Sequence, residues 1–200
     1  MVRNDFGHWH GDYFELNAPE SLLTDNALLV LIALNKGVRM ERTPDGRLIA
    51  IPPVGGTIST LNAHLSARLG QWDRGAGLGI GFASCVGFHL PNSAVRSPDL
   101  SWVRRDRWDS LTKKEREHLP PLCPDFVAEI VGPPLSLPEL QEKMREYRDN
   151  GAQLGWLIDP QSRQVEIYRP GQEVEVLDNP TSISGDPILP DFMLDLKGTL

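Results

Sequence analysis

Cysteine is scarce, aromatic residues are few, and no apolar run is long. Of 200 residues two are cysteines, Cys85 and Cys123, and 7% are aromatic. Two thiols fit neither a metal-binding spacing nor a disulfide framework, so both are expected to be buried and reduced. The longest apolar run, Ala27 to Leu34, falls well short of a bilayer-spanning helix. The first twenty residues carry Asp and Glu and lack the apolar segment of a secretory signal, so a cytoplasmic protein without membrane contact is expected. Basic excess is absent too. The formal net charge is −7 and the pI about 5.2, so any contact with nucleic acid must use a local basic patch, a metal ion or a partner.

What is present is an ordinary globular composition. Hydrophobic residues make up 40% of the chain and charged residues 24%, enough for one substantial core. Residues 1–20 show no periodicity and read as an irregular arm, with 21–200 forming one domain. His8 and His10 in that arm could touch a metal, but nothing nearby completes a ligand set. Thr24 to Lys36 reads as a helix with Thr24 as N-cap and Gly37 beyond its end. Strands follow over Val38–Thr43 and Arg47–Ile51, joined by Pro44-Asp45-Gly46. Ile58, Leu61, Leu65, Leu69 and Trp72 mark one stripe of a second helix. Strands are expected over Ile80–Ser84 and Val86–Leu90 as a hairpin, then over Ser97–Val103. Arg105–His118 reads as a charged helical stretch. Asp125–Val131 is a strand, Leu137–Asn150 a helix, and Leu154–Asp159 with Gln164–Arg169 a hairpin, with a further strand over Val174–Leu177. The order describes an α/β (α+β) fold with a mixed central sheet flanked by helices. Gly75, Gly77, Gly79 and Gly81 lack the following helix start of a dinucleotide loop and are better explained as turn glycines.

Chemistry is sought where a pattern breaks. Side chains alternate along a strand, so Glu129 shares a face with Val127 and Val131 in an apolar segment. An ionised carboxylate there needs a salt bridge, a strand edge or a metal. Asp99 shares a small polar face with Ser97 and Ser101, and reads alone as a solvated or turn-capping group. Two carboxylates on adjacent strands would suit a hard divalent cation, which could polarise a phosphodiester and acidify a bound water. On the next helix Leu137, Leu140, Met144 and Tyr147 make an apolar stripe bordered by Lys143. Its stem could be buried and its ammonium aimed at the strand end, or it could simply pair with Glu139 at i, i+4. Glu41, on a strand face with Arg39 and Thr43, reads as a solvated carboxylate or a further acid in the same cleft. Asn62 and His64 read as helix-surface groups, and His89 and His118 have no partner that sequence identifies.

Ser97-Pro98-Asp99 followed by Phe126-Val127-Ala128-Glu129-Ile130 resembles the Pro-Asp and Glu elements of the PD-(D/E)XK nuclease superfamily. The stretches ERTPDGRLIAIPPVGG, SPDLSWVRRDRWDSL and LQEKMREYRDNGAQLGWLIDPQSRQVEIYRPGQ resemble the Uma-type restriction endonucleases within it, over roughly residues 24–196. The resemblance implies a restriction-endonuclease-like core and Mg²⁺-dependent hydrolysis of DNA, with Mn²⁺ as a substitute. It implies Asp99 and Glu129 as metal ligands, Lys143 as the catalytic lysine, and Glu41 as the extra acid of some relatives. The superfamily lysine two residues after the glutamate is Val131 here, and the position of Lys143 allows the following helix to supply it instead. Gly132-Pro133-Pro134 also replaces a Ser-containing turn. A catalytically inactive module of the same fold, binding nucleic acid or a protein, is the alternative. By analogy with nucleases that cut two strands, a homodimer is expected. Pro124-Asp125 lies on the same strand as Glu129 and cannot supply the partner carboxylate.

Overall fold

The computed structural model describes residues 8–9, 13–16 and 24–198. In chain order its elements are β1 (His8–Trp9), β2 (Phe14–Leu16), α1 (Asp25–Leu34), β3 (Arg39–Arg42), β4 (Leu48–Ile51), α2 (Gly56–Ala76), β5 (Gly79–Ala83), β6 (Phe88–His89) and β7 (Val95–Arg96). They continue as β8 (Leu100–Arg104), α3 (Arg105–Asp109), α4 (Lys113–Glu117), β9 (Phe126–Ile130), α5 (Leu137–Asp149), β10 (Leu154–Asp159), β11 (Gln164–Tyr168), β12 (Glu175–Asp178), β13 (Ser182–Ser184) and β14 (Met193–Asp195). No described helix is long and apolar enough to cross a membrane.

Two six-stranded sheets organise the molecule. The first has the order β1-β2-β4-β3-β7-β6 and the second β12-β11-β10-β9-β8-β5. Pairing is antiparallel throughout the first sheet. In the second, β9 and β10 run parallel, as the intervening helix α5 requires, and the other pairs are antiparallel. The second sheet is covered on both faces, which is why β9 reads as a nearly continuous apolar run. On one face Leu61, Leu65 and Leu69 of α2 pack with Leu100, Trp102, Phe126, Ala128 and Trp156, joined by Phe192 and Leu194 near the C-terminus. On the other, Leu140, Met144 and Tyr147 of α5 pack with Val103, Val127 and Leu157. Alternation therefore points Glu129 toward α5.

Several elements depart from the sequence expectation. Strands β5 and β6 do not form a hairpin: β5 pairs with β8 in one sheet and β6 with β7 in the other. Between them the chain turns at Cys85, whose φ is 98°, and Gly87 lies so close to Leu119 that a Cβ would sit 2.9 Å from it. The strand expected over Ser97–Val103 begins later, at Leu100 as β8 of the second sheet, and the short β7 just before it belongs to the first sheet. Pro98, which has no N–H for a ladder, sits at the crossing. The charged stretch 105–118 is two short helices, and Thr112 and Glu115 form a capping box that starts the second. Within the supposedly irregular arm, β2 pairs with β4, and Arg47 holds Glu15 at 2.6 Å. His10 and the side chain of His8 lie outside the described residues. Of the two cysteines only Cys123 is buried, and Cys85 is exposed.

A candidate metal centre at the seam between the sheets

The crossing at Ser97-Pro98-Asp99 makes a seam where polar groups from both sheets and α5 meet. From the first sheet, β3 supplies Arg39 and Glu41, and β7 supplies Arg96. Asp99 leads into β8, Glu129 comes from β9, and α5 supplies Lys143, Glu146 and Tyr147. Leu100 pairs with Ala128, and Asp99 Oδ2 accepts the N–H of Ile130 at 3.0 Å. Asp99 is thereby held beside Glu129 on the neighbouring strand. Glu41, Asp99, Glu129 and Lys143 are all buried.

Lys143 donates to Glu41 Oε1 at 2.7 Å and forms an ion pair with Glu129 Oε1 at 2.8 Å. It does not pair with Glu139. That carboxylate caps Ser136 at the start of α5 and accepts the Tyr13 hydroxyl. Tyr147 also donates to Glu129 Oε1, at 3.2 Å. Glu41 is not solvated: its oxygens accept Lys143, the Ser97 N–H at 3.1 Å and Arg96 at 3.2 Å. Arg96 continues to Glu146 at 2.6 Å, and Arg39 Nη1 holds Asp99 Oδ1 at 2.9 Å. Arg39 and Arg96 were not singled out by the sequence. The signal for Arg39 was the alternation that puts it on one strand face with Glu41; Arg96 had none, its partners lying on β3 and α5.

The two buried glutamates titrate in opposite directions. Burial works against the charge of Glu41, but Lys143, Arg96 and Arg39 outweigh it and hold its pKa at about 2. For Glu129 burial dominates, Asp99 and Glu41 add to it, and Lys143 and Arg39 compensate only in part. Its pKa rises to about 7. Glu129 Oε2 is buried with no hydrogen-bond partner, an expensive arrangement for a carboxylate. A hard cation shared with Asp99 would satisfy that oxygen, so the donor chemistry fits a divalent metal held by two carboxylates. Among the described residues no group of three or more His, Cys, Asp or Glu side chains is arranged to hold a metal, and the oxygens of Glu41 are already engaged.

The remaining sequence candidates lie elsewhere. Asp125 forms an ion pair with Arg107 and accepts the Arg104 N–H at the opposite end of β9. His89 pairs with Asp25 at 2.7 Å, and His118 lies 2.9 Å from the Lys114 carbonyl. Asn62 bonds Ser66 on α2. A cavity of about 460 Å³ reaches Glu41 and Lys143 from the surface between Tyr13, Arg47 and Glu142.

A mixed sheet with α2 packed on one face and α5 on the other is a nuclease-type fold. The chain belongs to the Uma2 family, described as "Putative restriction endonuclease", whose model matches residues 26–197. It is also similar to a crystal structure described as a putative nuclease belonging to DUF820, from Anabaena variabilis ATCC 29413. The TM-score is 0.73 at 22% identity, over 88% of this chain and 96% of that one, a likeness of fold. No curated protein matches the chain.

Proposed function

We propose that the protein is a divalent-metal-dependent endonuclease that hydrolyses phosphodiester bonds in DNA, acting in the cytoplasm. Asp99 and Glu129 would hold Mg²⁺, or Mn²⁺ in its place. The carrying observation is the buried Glu129 carboxylate, which has one oxygen without a partner and lies beside Asp99 on the neighbouring strand. Bound there, the cation would polarise the phosphodiester and lower the pKa of an attacking water. Tyr147 and Lys143 fix Glu129 by holding Oε1, which leaves Oε2 for the metal. The Lys143 ammonium orients the water or offsets charge developing on the phosphate. Glu41 and Arg96 act on Lys143 as positioning residues, because Glu41 locks the ammonium at 2.7 Å and Arg96 locks Glu41. Double-strand cleavage would use a homodimer.

The test is cleavage of plasmid DNA with Mg²⁺ or Mn²⁺. Asp99→Ala and Glu129→Ala should abolish nicking with the fold intact by circular dichroism. Lys143→Met should lower the rate by about 10²–10³-fold, the usual loss for an electrostatic stabiliser. A double alanine variant that cuts as well as the parent would sink the assignment.

Two observations favour a second reading, an inactive nuclease-fold module. Asp99 is already paired with Arg39, and Val131 stands where the superfamily lysine is expected. Such a module should show no heat of Mn²⁺ binding, whereas the nuclease should bind Mn²⁺ in a manner lost with Glu129→Ala.

A further inference from the structure

We propose that Arg39 is a resident counter-ion that competes with the divalent cation for Asp99, so that metal binding releases its guanidinium from the carboxylate. This rests on the metal site proposed above. The argument comes from counting the oxygens left for a metal. Asp99 Oδ2 is tied to the Ile130 N–H, so Oδ1 is the oxygen Asp99 can offer. Arg39 Nη1 covers that oxygen at 2.9 Å. Glu129 offers Oε2, which is buried and has no hydrogen-bond partner. A cation bridging Oδ1 and Oε2 must displace the arginine from Oδ1 or share that oxygen with it, and one reaching Asp99 through the second lone pair of Oδ2 would still meet the guanidinium's charge beside it.

The other cations at the seam are not in that position. Lys143 is shared between Glu41 and Glu129 through Oε1 atoms, and Arg96 binds Glu41 and Glu146. Neither covers an oxygen a metal would use. Arg39 is also the most exposed of the three, with 17% of its side chain accessible against 11% for Arg96 and 5% for Lys143. The carboxylates of Glu41, Asp99 and Glu129 all act on its charge, as they would on a cation placed among them. Without metal, Arg39 offsets the repulsion between these acids. With metal, the freed guanidinium is a bidentate donor at the mouth of the site, suited to a phosphate oxygen.

Titration calorimetry with Mn²⁺ on the parent, Arg39→Gln and Arg39→Lys tests this without any turnover. Arg39→Gln should bind Mn²⁺ at least tenfold more tightly than the parent, because one opposing positive charge is gone. Arg39→Lys, which keeps the charge, should return most of the way to the parent affinity. In the parent itself, ¹⁵N spectra of the arginine side chains should show the Arg39 Nε–H signal shift and lose solvent protection as Mg²⁺ is added. This last measurement holds even if Arg39→Gln fails to fold. Equal or weaker binding by Arg39→Gln, with an unmoved Arg39 signal in a parent that does bind metal, would overturn the competition and leave the metal site standing. Absence of Mn²⁺ binding in both parent and Arg39→Gln would overturn both.

Discussion

Glu41 and Glu129 are the same residue type, both buried, joined by one lysine, and pushed apart in acidity by what else surrounds them. Glu41 has three donors and a lowered pKa of about 2. Its ionised form favours the folded state above the ordinary glutamate pKa, and that contribution is lost as pH falls from about 4.5 toward 2. Glu129, raised to about 7, does the opposite. Its protonated form favours the folded state at low pH, and that contribution is lost as pH rises from about 4.5 to 7. Glu41→Gln should therefore destabilise the metal-free protein at pH 7 by about 3–5 kcal/mol, since it strands buried cations. That is a melting-temperature drop of roughly 10 °C or more for a chain of this size. Glu129→Gln should raise stability above pH 7, on the order of 1 kcal/mol, and flatten the stability profile between pH 4.5 and 7. Urea titrations in EDTA across pH measure both. Stability changes of the same sign in the two variants at pH 8 would refute the assignment of opposite shifts.

At the scale of elements, close backbone approach makes some glycines irreplaceable. A Cβ on Gly79 of β5 would sit 2.2 Å from the Trp102 ring and 2.4 Å from the Val103 carbonyl oxygen. Neither neighbour can yield easily, because Trp102 is fully packed and its indole N–H bonds Asp73. On Gly155 of β10 the nearest atom is the terminal methyl of Met144, at 2.5 Å, which can rotate aside. Gly79→Ala should cost about 3 kcal/mol and Gly155→Ala less than about 1 kcal/mol, read from urea midpoints. An equal loss would contradict the packing described. The elements themselves were largely legible. The α2 stripe, the apolar β9 and the α5 stripe follow from periodicity, and Lys143 is buried alongside the α5 stripe. Sheet membership was not legible. Apolar alternation through 86–90 and 97–103 says that strands exist, but not which ladder they join. The crossings at Cys85–Gly87 and Pro98 are set by tertiary pairing. The same limit hid Arg39 and Arg96 and made Glu41 look solvated, because their partners come from other strands and from α5.

For the whole molecule, the net charge of −7 opposes a polyanion, and in the cavity beside Glu41 and Lys143 the carboxylates of Glu15, Glu139, Glu142 and Glu146 outnumber Arg47 and Arg96. DNA binding should therefore depend on the metal. In EDTA at physiological salt, a fluorescent duplex should show no change in anisotropy. With Ca²⁺, which fills hard oxygen sites, binding should appear and weaken steeply as salt rises. Strong binding in EDTA would point to a basic surface not identified in this fold. The proposed function depends on a single cation that Asp99 and Glu129 would share. Anomalous diffraction from a Mn²⁺-soaked crystal tests that most directly. One manganese peak within bonding distance of Asp99 Oδ1 and Glu129 Oε2, absent from Glu129→Ala crystals, is the result predicted. A map with no peak at the seam at saturating Mn²⁺, and Arg39 still paired with Asp99, would contradict it.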